Sequence, residues 1–220
     1  MSLTELLRDR SCLLLDFDGP ICAVFAGVTD RAVAQELATL IDSSARADIA
    51  AAHDPFEVLR YAASRNLAQA SSIERRFTEL ELDAVTSAKP TEHTPALIHD
   101  LHANGWTIAV VSNNSVVAIN AYLSAHGLRS SIAGVYGRTP NNYTQLKPSP
   151  HLLNVATREL HAISDNCVFV GDSLSDIEAG RAARIPVIAL ANKPGKADRF
   201  RPYSPDALIA NMAEVRNALV

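Results

Sequence analysis

The sequence is poor in cysteine and in aromatic residues, and it contains no long apolar run. Of its 220 residues, 3 are cysteines, and aromatic residues make up 5%. So few cysteines, odd in number, argue against a disulfide framework, and we expect Cys12, Cys22 and Cys167 to be reduced thiols. No stretch approaches the length of a membrane span, and the charges spread through residues 1–11 are unlike a signal peptide. These absences favour a cytoplasmic protein that has no membrane partner.

Positive charge is not in excess either. The chain has 20 lysine and arginine residues against 24 aspartate and glutamate residues, for a formal net charge of −4. A general nucleic-acid binder is usually basic, so this composition disfavours a nucleic-acid partner. The sequence also lacks a glycine-rich dinucleotide fingerprint after its first predicted strand and has no P-loop, which disfavours nicotinamide-dependent enzymes and nucleoside triphosphatases.

The most informative stretch is residues 12–22, CLLLDFDGPIC. The apolar run 13–15 predicts a strand buried on both faces of a parallel sheet, and the turn residues 19–20 end it. Asp16 and Asp18 then lie at the carboxyl end of that strand, where open α/β sheets bind ligands. Carboxylates this close repel each other unless a cation neutralises them, and Mg²⁺ is the simplest such partner.

After this stretch, residues 27–89 show helical periodicity and no convincing strand. Thr29 or Asp30 caps a predicted helix that reaches Ile41, and Asp54-Pro55 begins a second one. A third helix is predicted over residues 71–87. We therefore expect an all-helical cap subdomain at 21–90, inserted into a core formed by 1–20 and 91–220.

Strands and helices alternate through the rest of the chain. Predicted strands cover residues 106–112, 134–136, 167–172, 186–190 and 207–210, and predicted helices cover 95–104, 116–125, 148–160, 175–183 and the C-terminal end to 220. This alternation indicates an α/β fold with a Rossmann-like, doubly wound parallel sheet.

Polar residues follow three of these strands. They are Asp16 and Asp18 after the first strand, Ser112, Asn113 and Asn114 after the second, and Asp172 and Ser173 after the strand at 167–172. The carboxyl ends of parallel strands share one edge of a sheet, so we expect these groups to converge. Lys147 precedes the predicted helix start at 148, and Asp176 follows Asp172 by one turn. Paired carboxylates, a hydroxyl and a fixed cation are the groups that phosphoryl transfer needs.

Four segments, in this order, resemble the motifs of the haloacid dehalogenase superfamily. They are DFDG at 16–19, the strand end at Ser112-Asn113, KPSP at 147–150 and GDSLSD at 171–176. The small residues after Asp176 are similar to the branch that contains phosphoglycolate phosphatase-like and β-phosphoglucomutase-like proteins. The helical block matches the place where that branch inserts a small cap.

The resemblance implies the following roles for the first two motifs. Asp16 would be the nucleophile that forms an aspartyl-phosphate, and Asp18 would be the general acid and then the base. Ser112 and the Asn113 amide would hold the transferring phosphoryl group. An acid at position 18 also distinguishes phosphatases from the members that cleave carbon–halogen bonds, because a halide leaving group needs no proton.

The same resemblance assigns the remaining residues. Lys147 would balance charge between the nucleophile and the phosphate. Asp172 would bind Mg²⁺ together with Asp16 and the Asp18 carbonyl, and Asp176 would be a further ligand or would orient the others. The chain departs from the family at Pro20, where threonine or an aliphatic residue is usual, and this change points to the hinge of the cap.

The function implied is Mg²⁺-dependent hydrolysis of a small phosphorylated metabolite. Two alternatives remain open on the same scaffold: a phosphomutase, and a catalytically weak regulatory module that binds a phosphorylated ligand. The basic segment around Lys193, Lys196, Arg199 and Arg201 is interpreted as a solvated loop after the last core strand.

Overall fold

Six parallel strands form one sheet in the computed structural model, which describes residues 2–25, 27, 29–140 and 142–219. The strands are β1 (Cys12–Leu15), β2 (Thr107–Ser115), β3 (Gly134–Arg138), β4 (Cys167–Gly171), β5 (Val187–Leu190) and β6 (Ala207–Ile209), in the spatial order β3-β2-β1-β4-β5-β6. The order runs outwards in both directions from β1, which is the arrangement of a doubly wound sheet. The predicted α/β class and Rossmann-like core are confirmed.

Helices cover both faces of this sheet. They are α1 (Leu3–Leu7), α2 (Asp30–Ala38), α3 (Arg46–Ile49), α4 (Pro55–Arg65), α5 (Leu67–Val85), α6 (Thr94–Ala103), α7 (Val116–Ala125), α8 (His151–Glu159), α9 (Leu174–Ala183), α10 (Lys196–Phe200) and α11 (Ala213–Ala218). None of these helices combines the length and the apolar character that crossing a membrane requires. The prediction of a helix to residue 220 is met as far as Ala218, and residue 220 itself lies outside the described residues.

Two hydrophobic clusters lie on opposite faces of the sheet. Successive residues of β1 alternate between them, with Leu14 in one cluster and Leu13 and Leu15 in the other. The cluster around Leu14 continues into the buried faces of helices α2, α4 and α5, for example at Phe77. The part of the chain that contains helices α2 to α5, called the helical segment below, therefore shares its hydrophobic core with one face of the sheet. The boundaries of a separate cap at 21–90 remain a prediction.

Local sequence signals explain where most elements begin. Thr29 accepts a hydrogen bond from the Ala32 amide at the start of α2, and Asp54 accepts one from the Phe56 amide at the start of α4. Serine, threonine and aspartate at such positions satisfy amides that a helix leaves unpaired.

Some predicted boundaries were wrong. Helix α5 begins at Leu67, four residues earlier than expected, because Asn66 caps it with its side-chain oxygen. Helix α2 was expected to reach Ile41 but ends at Ala38. Helix α8 was expected to begin at residue 148 but begins at His151. Strand β2 extends to Ser115, past the predicted end at 112. Helices α3 and α10 were not predicted, since each is only four or five residues long.

Candidate active site

The first acidic residue extends strand β1. The Asp16 amide donates to the carbonyl of Val170 at 2.9 Å, which continues the ladder with β4. Its carboxylate Oδ1 accepts from the Phe17 amide and from Lys147 Nζ, each at 2.8 Å. Asp16 is 7% exposed, and burial, with the charge of Asp176, raises its pKa to about 7 against the opposing effect of Lys147.

The second acidic residue lies in the turn that follows. Asp18 Oδ1 accepts from the Val24 amide at 2.9 Å, which fixes the side chain within its own loop. Burial raises the pKa of Asp18 to about 6, although the hydrogen bond from Val24 acts in the opposite direction. A carboxyl group with a raised pKa suits proton donation and proton acceptance near neutral pH.

The turn itself requires glycine at position 19. Gly19 has a φ of +99°, and the Asp172 carboxylate occupies the space that a Cβ atom would need. The carbonyl of Gly19 accepts from Thr91 Oγ1 at 2.5 Å, and that of the buried Pro20 accepts from Thr94 Oγ1 at 2.7 Å. These contacts hold the acidic turn against the start of α6.

Strand β2 supplies the hydroxyl and amide groups. The pairing of β2 with β3 is irregular between Val111 and Ser115, which releases residues 112–114 from the ladder. Ser112 Oγ is buried and donates to Asn114 Oδ1 at 3.0 Å. The Asn113 side chain accepts from the Lys147 amide at 2.8 Å and donates to the Lys147 carbonyl at 3.0 Å. The Asn113 side chain therefore fixes the position of the Lys147 backbone.

Lys147 lies at the centre of the buried charges. Its Nζ is 2.8 Å from Asp16 Oδ1 and 2.5 Å from Asp176 Oδ1, and it donates to the Val111 carbonyl at 3.2 Å. Burial lowers the pKa of Lys147, but the charges of Asp16 and Asp176 outweigh that effect, and the pKa lies above its ordinary value. The ammonium group is therefore a fixed positive charge beside Asp16.

Asp176 is fully buried, and both of its oxygens have partners. Oδ1 accepts from Lys147, and Oδ2 accepts from the amides of Asp172 and Ser173 at 3.0 Å and from Ser173 Oγ at 2.6 Å. The contact with the Ser173 amide is one half of the capping box of helix α9, and the Asp176 amide completes the box by donating to Ser173 Oγ at 3.2 Å. Gly171 permits this close approach, because a Cβ atom there would clash with the Asp176 side chain.

The acidic residues fit a divalent cation. One carboxylate oxygen from each of Asp16, Asp172 and Asp176 lies within 4.8 Å of the others. Burial raises the pKa of Asp172, while the nearby Lys196 ammonium lowers it. Among the described residues, Lys147 and Lys196 form the ion pairs with these three aspartates, and with Asp18 there are four carboxylates against two paired cations, which leaves formal negative charge. Mg²⁺ prefers oxygen ligands, and carboxylates whose negative charge is not fully balanced favour the binding of a cation.

A cavity of about 440 Å³ opens over these groups. The sheet edge contributes Asp16, Asp18, Ser112, Lys147 and Asp172 to its wall. The helical segment contributes Asp30, Asp54, Phe56 and Arg60, and α10 contributes Arg199. Side chains from the helical segment thus face the same space as the acidic strand ends.

The sequence suggested that the basic segment 193–201 is a solvated loop, and this interpretation was wrong. It contains helix α10, whose Phe200 is 1% exposed, and whose Lys196 forms an ion pair with Asp172. Arg199 lines the cavity. Sequence inspection missed both cations because a short helix gives little periodic signal; the buried Phe200 after a run of charges was the available clue.

Sequence and structure comparisons identify the family and the fold. Residues 23–190 match the family model described as haloacid dehalogenase-like hydrolase. A phosphoglycolate phosphatase of Rhodospirillum rubrum is 25% identical over 191 residues, which cover 81% of this chain and 78% of that protein. A phosphoglycolate phosphatase of Colwellia psychrerythraea is 28% identical over 105 residues, which cover 48% of this chain and only 46% of that protein.

A solved structure shares the fold at lower identity. A mutant of CbbY from Rhodobacter sphaeroides, in complex with xylulose 1,5-bisphosphate, superimposes with a TM-score of 0.71 and 18% identity, covering 94% of this chain and 99% of that one. The family model spans well over half of the sequence, and the family assignment made from the four motifs is confirmed. This chain belongs to the haloacid dehalogenase-like hydrolase family.

Proposed function

We propose that this protein is a Mg²⁺-dependent phosphatase that hydrolyses a small phosphate monoester through an aspartyl-phosphate on Asp16. The observation that carries the proposal is the position of Lys147 Nζ, 2.8 Å from Asp16 Oδ1 and buried with it beneath a cavity. A buried carboxylate beside a fixed cation can approach a phosphate dianion, which an isolated carboxylate would repel.

In the first half-reaction, an oxygen of Asp16 attacks phosphorus and the bond to the alcohol breaks. Asp18 donates its proton to the departing alkoxide, so that a neutral alcohol leaves. In the second half-reaction, the Asp18 carboxylate takes a proton from water, and the resulting hydroxide attacks phosphorus. The acyl phosphate bond breaks, which releases inorganic phosphate and restores the Asp16 carboxylate.

The phosphoryl group is held by donors at the end of β2 and by Lys147. The Asn113 backbone amide would donate to its oxygens, because the Asn113 side chain already serves the Lys147 backbone. The Ser112 hydroxyl, whose single proton goes to Asn114 Oδ1 in the free protein, would turn that proton to the phosphoryl group. Mg²⁺, held by Asp16, Asp172 and the Asp18 carbonyl, would neutralise negative charge on the phosphoryl oxygens. Asp176 would act by orienting Lys147 and the Asp172 amide, since both of its oxygens are engaged there.

The substrate is a small phosphorylated metabolite. A cavity of about 440 Å³ suits a small ligand, and Arg60 and Arg199 give its wall positive charge away from the sheet edge. Similarity to phosphoglycolate phosphatases and to a protein that binds a sugar bisphosphate supports this class. We expect the protein to act in the cytoplasm, where its three free cysteines stay reduced.

Phosphate release tests the proposal directly. Purified protein is assayed with an aryl phosphate and with a panel of glycolate and sugar phosphates, in Mg²⁺ and in chelator. We expect release that requires Mg²⁺ and that falls by about three orders of magnitude or more in Asp16→Asn, because an amide cannot replace the carboxylate nucleophile. Asp165→Asn, which makes the same change at an exposed position, is the matched control.

Three results would contradict the proposal. Interconversion of sugar phosphates with little free phosphate would indicate a phosphomutase. Binding of a phosphorylated ligand without turnover of any panel member would indicate a regulatory module. Equal activity in Asp16→Asn and Asp165→Asn would exclude Asp16 as the nucleophile.

A further inference from the structure

A second buried charge cluster lies where helix α5 meets the sheet. Arg138, the last residue of β3, is 1% exposed. Its guanidinium pairs with Glu74 at 2.7 Å and with Glu81 at 2.6 Å. These glutamates are two turns apart on α5 and therefore project from one face of the helix. The three residues Glu74, Glu81 and Arg138 are called the helix-anchoring cluster below.

The helix-anchoring cluster is closely packed. The Arg138 guanidinium lies over the Phe77 ring at 4.2 Å, and Thr78 Oγ1 donates to Glu74 Oε1 at 2.9 Å. The side chains of Glu74 and Glu81 are 6% and 0% exposed. Removal of a charge from water is costly, so both carboxylates depend on Arg138 and on their other donors.

Glu81 also contacts the end of β2, residues 112–115, where the pairing with β3 is irregular; this stretch is called the loop below. Its Oε1 accepts from Asn114 Nδ2 and its Oε2 accepts from the Ser115 amide, each at 3.0 Å. Arg138 Nε donates to the Asn113 carbonyl at 3.3 Å. The cluster therefore holds three consecutive residues, 113–115, of this loop.

The carboxylate of Glu81 also determines how Asn114 faces Ser112. A carboxylate only accepts hydrogen bonds, so Asn114 must turn its NH₂ group towards Glu81. The Asn114 Oδ1 atom then accepts a hydrogen bond from Ser112 Oγ at 3.0 Å. The backbone amide of Asn114 donates to Ser112 Oγ at 3.2 Å. The position of the Ser112 hydroxyl thus depends on Glu81 through Asn114.

We propose that Glu81 is a positioning residue for phosphate binding, acting through Asn114 on the Ser112 hydroxyl. The inference rests on the proposed function, which places Ser112 against the phosphoryl group. Helix α5, which carries Glu81, thereby helps to position the Ser112 hydroxyl at the end of β2. Glu81→Gln leaves one acceptor oxygen in place of two, so either Asn114 or the Ser115 amide loses its partner, and phosphate then binds to a segment that is held less firmly.

Glu74 provides a matched control for Glu81. It lies on the same helix, is also buried and pairs with the same arginine. Within the described part of the chain, its side-chain hydrogen bonds go to Arg138 and Thr78, and none reaches residues 112–115. Glu81→Gln and Glu74→Gln therefore remove equal charge from one cluster, but only the first changes the contacts of the loop.

The experiment measures the affinity for inorganic phosphate by calorimetry in the presence of Mg²⁺, together with KM, kcat and the urea midpoint. We expect Glu81→Gln to weaken phosphate binding and to raise KM by about tenfold, the equivalent of one charge-assisted hydrogen bond. Glu74→Gln should lower the urea midpoint by about as much as Glu81→Gln does. It should change the phosphate affinity by about twofold or less.

Asn114→Ala removes the connection without altering an ion pair, so it gives a second test if Glu81→Gln folds poorly. It should weaken phosphate binding as Glu81→Gln does, and the double variant should bind no more weakly than Asn114→Ala alone. An unchanged or tighter affinity in Asn114→Ala, or equal effects of Glu81→Gln and Glu74→Gln, would overturn the inference. So would a wild-type protein that does not bind phosphate.

Failure of the proposed function gives a different result. A wild-type protein that binds phosphate but hydrolyses no monoester contradicts the phosphatase assignment. The calorimetric comparison of Glu81→Gln with Glu74→Gln still decides whether Glu81 positions the loop.

Discussion

The protein contains two buried charge clusters that differ in what they leave available. The active-site cluster consists of Asp16, Asp172, Asp176, Lys147 and Lys196. It lies under a cavity, so a ligand can reach carboxylates of this cluster. The helix-anchoring cluster is closed over by α5, and its arginine uses a planar group with several fixed donors.

The difference shows how one kind of interaction can serve two purposes. In the helix-anchoring cluster, each carboxylate has several donors, and the cluster joins a helix to the sheet. In the active-site cluster, burial and neighbouring acids raise the pKa of Asp16 to about 7, so the carboxylate is poorly stabilised without further positive charge. A poorly stabilised group of this kind is suited to receive a ligand.

The largest expected effect distinguishes the clusters by activity. Lys147→Met removes the cation beside Asp16, and we expect kcat to fall by about two to three orders of magnitude, since one preorganised charge is lost. Steady-state phosphate release measures this. Lys89→Met, at an exposed position, should retain wild-type turnover. Equal rates in the two variants would remove Lys147 from the mechanism.

The next effect distinguishes them by stability. Arg138→Met leaves Glu74 and Glu81 buried without their cation, and we expect a loss of about 3–5 kcal/mol in the free energy of unfolding. Urea denaturation measures the loss. It should exceed that of Lys147→Met, because Asp16, one of the two acids paired with Lys147, lines the cavity and is within reach of water. The opposite order would show that the helix-anchoring cluster is not the more tightly closed one.

The smallest expected effect lies outside both clusters. Asn66→Ala removes the side-chain cap of α5, and we expect a loss of about 1 kcal/mol in unfolding free energy with kcat unchanged. Urea denaturation and phosphate release on the same preparation test this. A fall in kcat would mean that a loss of stability in α5 is sufficient to impair the site, and would weaken the distinction between the clusters.

The sequence predicted the sheet and the acidic strand ends well. Strand β1 is recognised from a short apolar run followed by Asp16 and Asp18, and Gly19 marks the turn. These signals are local, since each depends on neighbouring residues in the chain. The convergence of Ser112 and Asp172 with them follows from the topology of parallel strands.

The helix-anchoring cluster could not be predicted in the same way. Glu74 and Glu81 look like solvated charges on a helix, and only their partner Arg138, 57 residues beyond Glu81, shows that they are buried. The contact of Lys196 with Asp172 is equally non-local. Pairing of charges between distant segments leaves no periodic pattern in a sequence, so the structure was needed to find it.

Direct detection of the phosphorylated residue is the strongest test of the mechanism. The protein is mixed with its best substrate and Mg²⁺, quenched in acid during turnover and reduced with borohydride, which converts an acyl phosphate to homoserine. We expect mass spectrometry of the peptides to find homoserine at position 16. Homoserine at position 172, or none during rapid turnover, would contradict the assignment of Asp16 as the nucleophile.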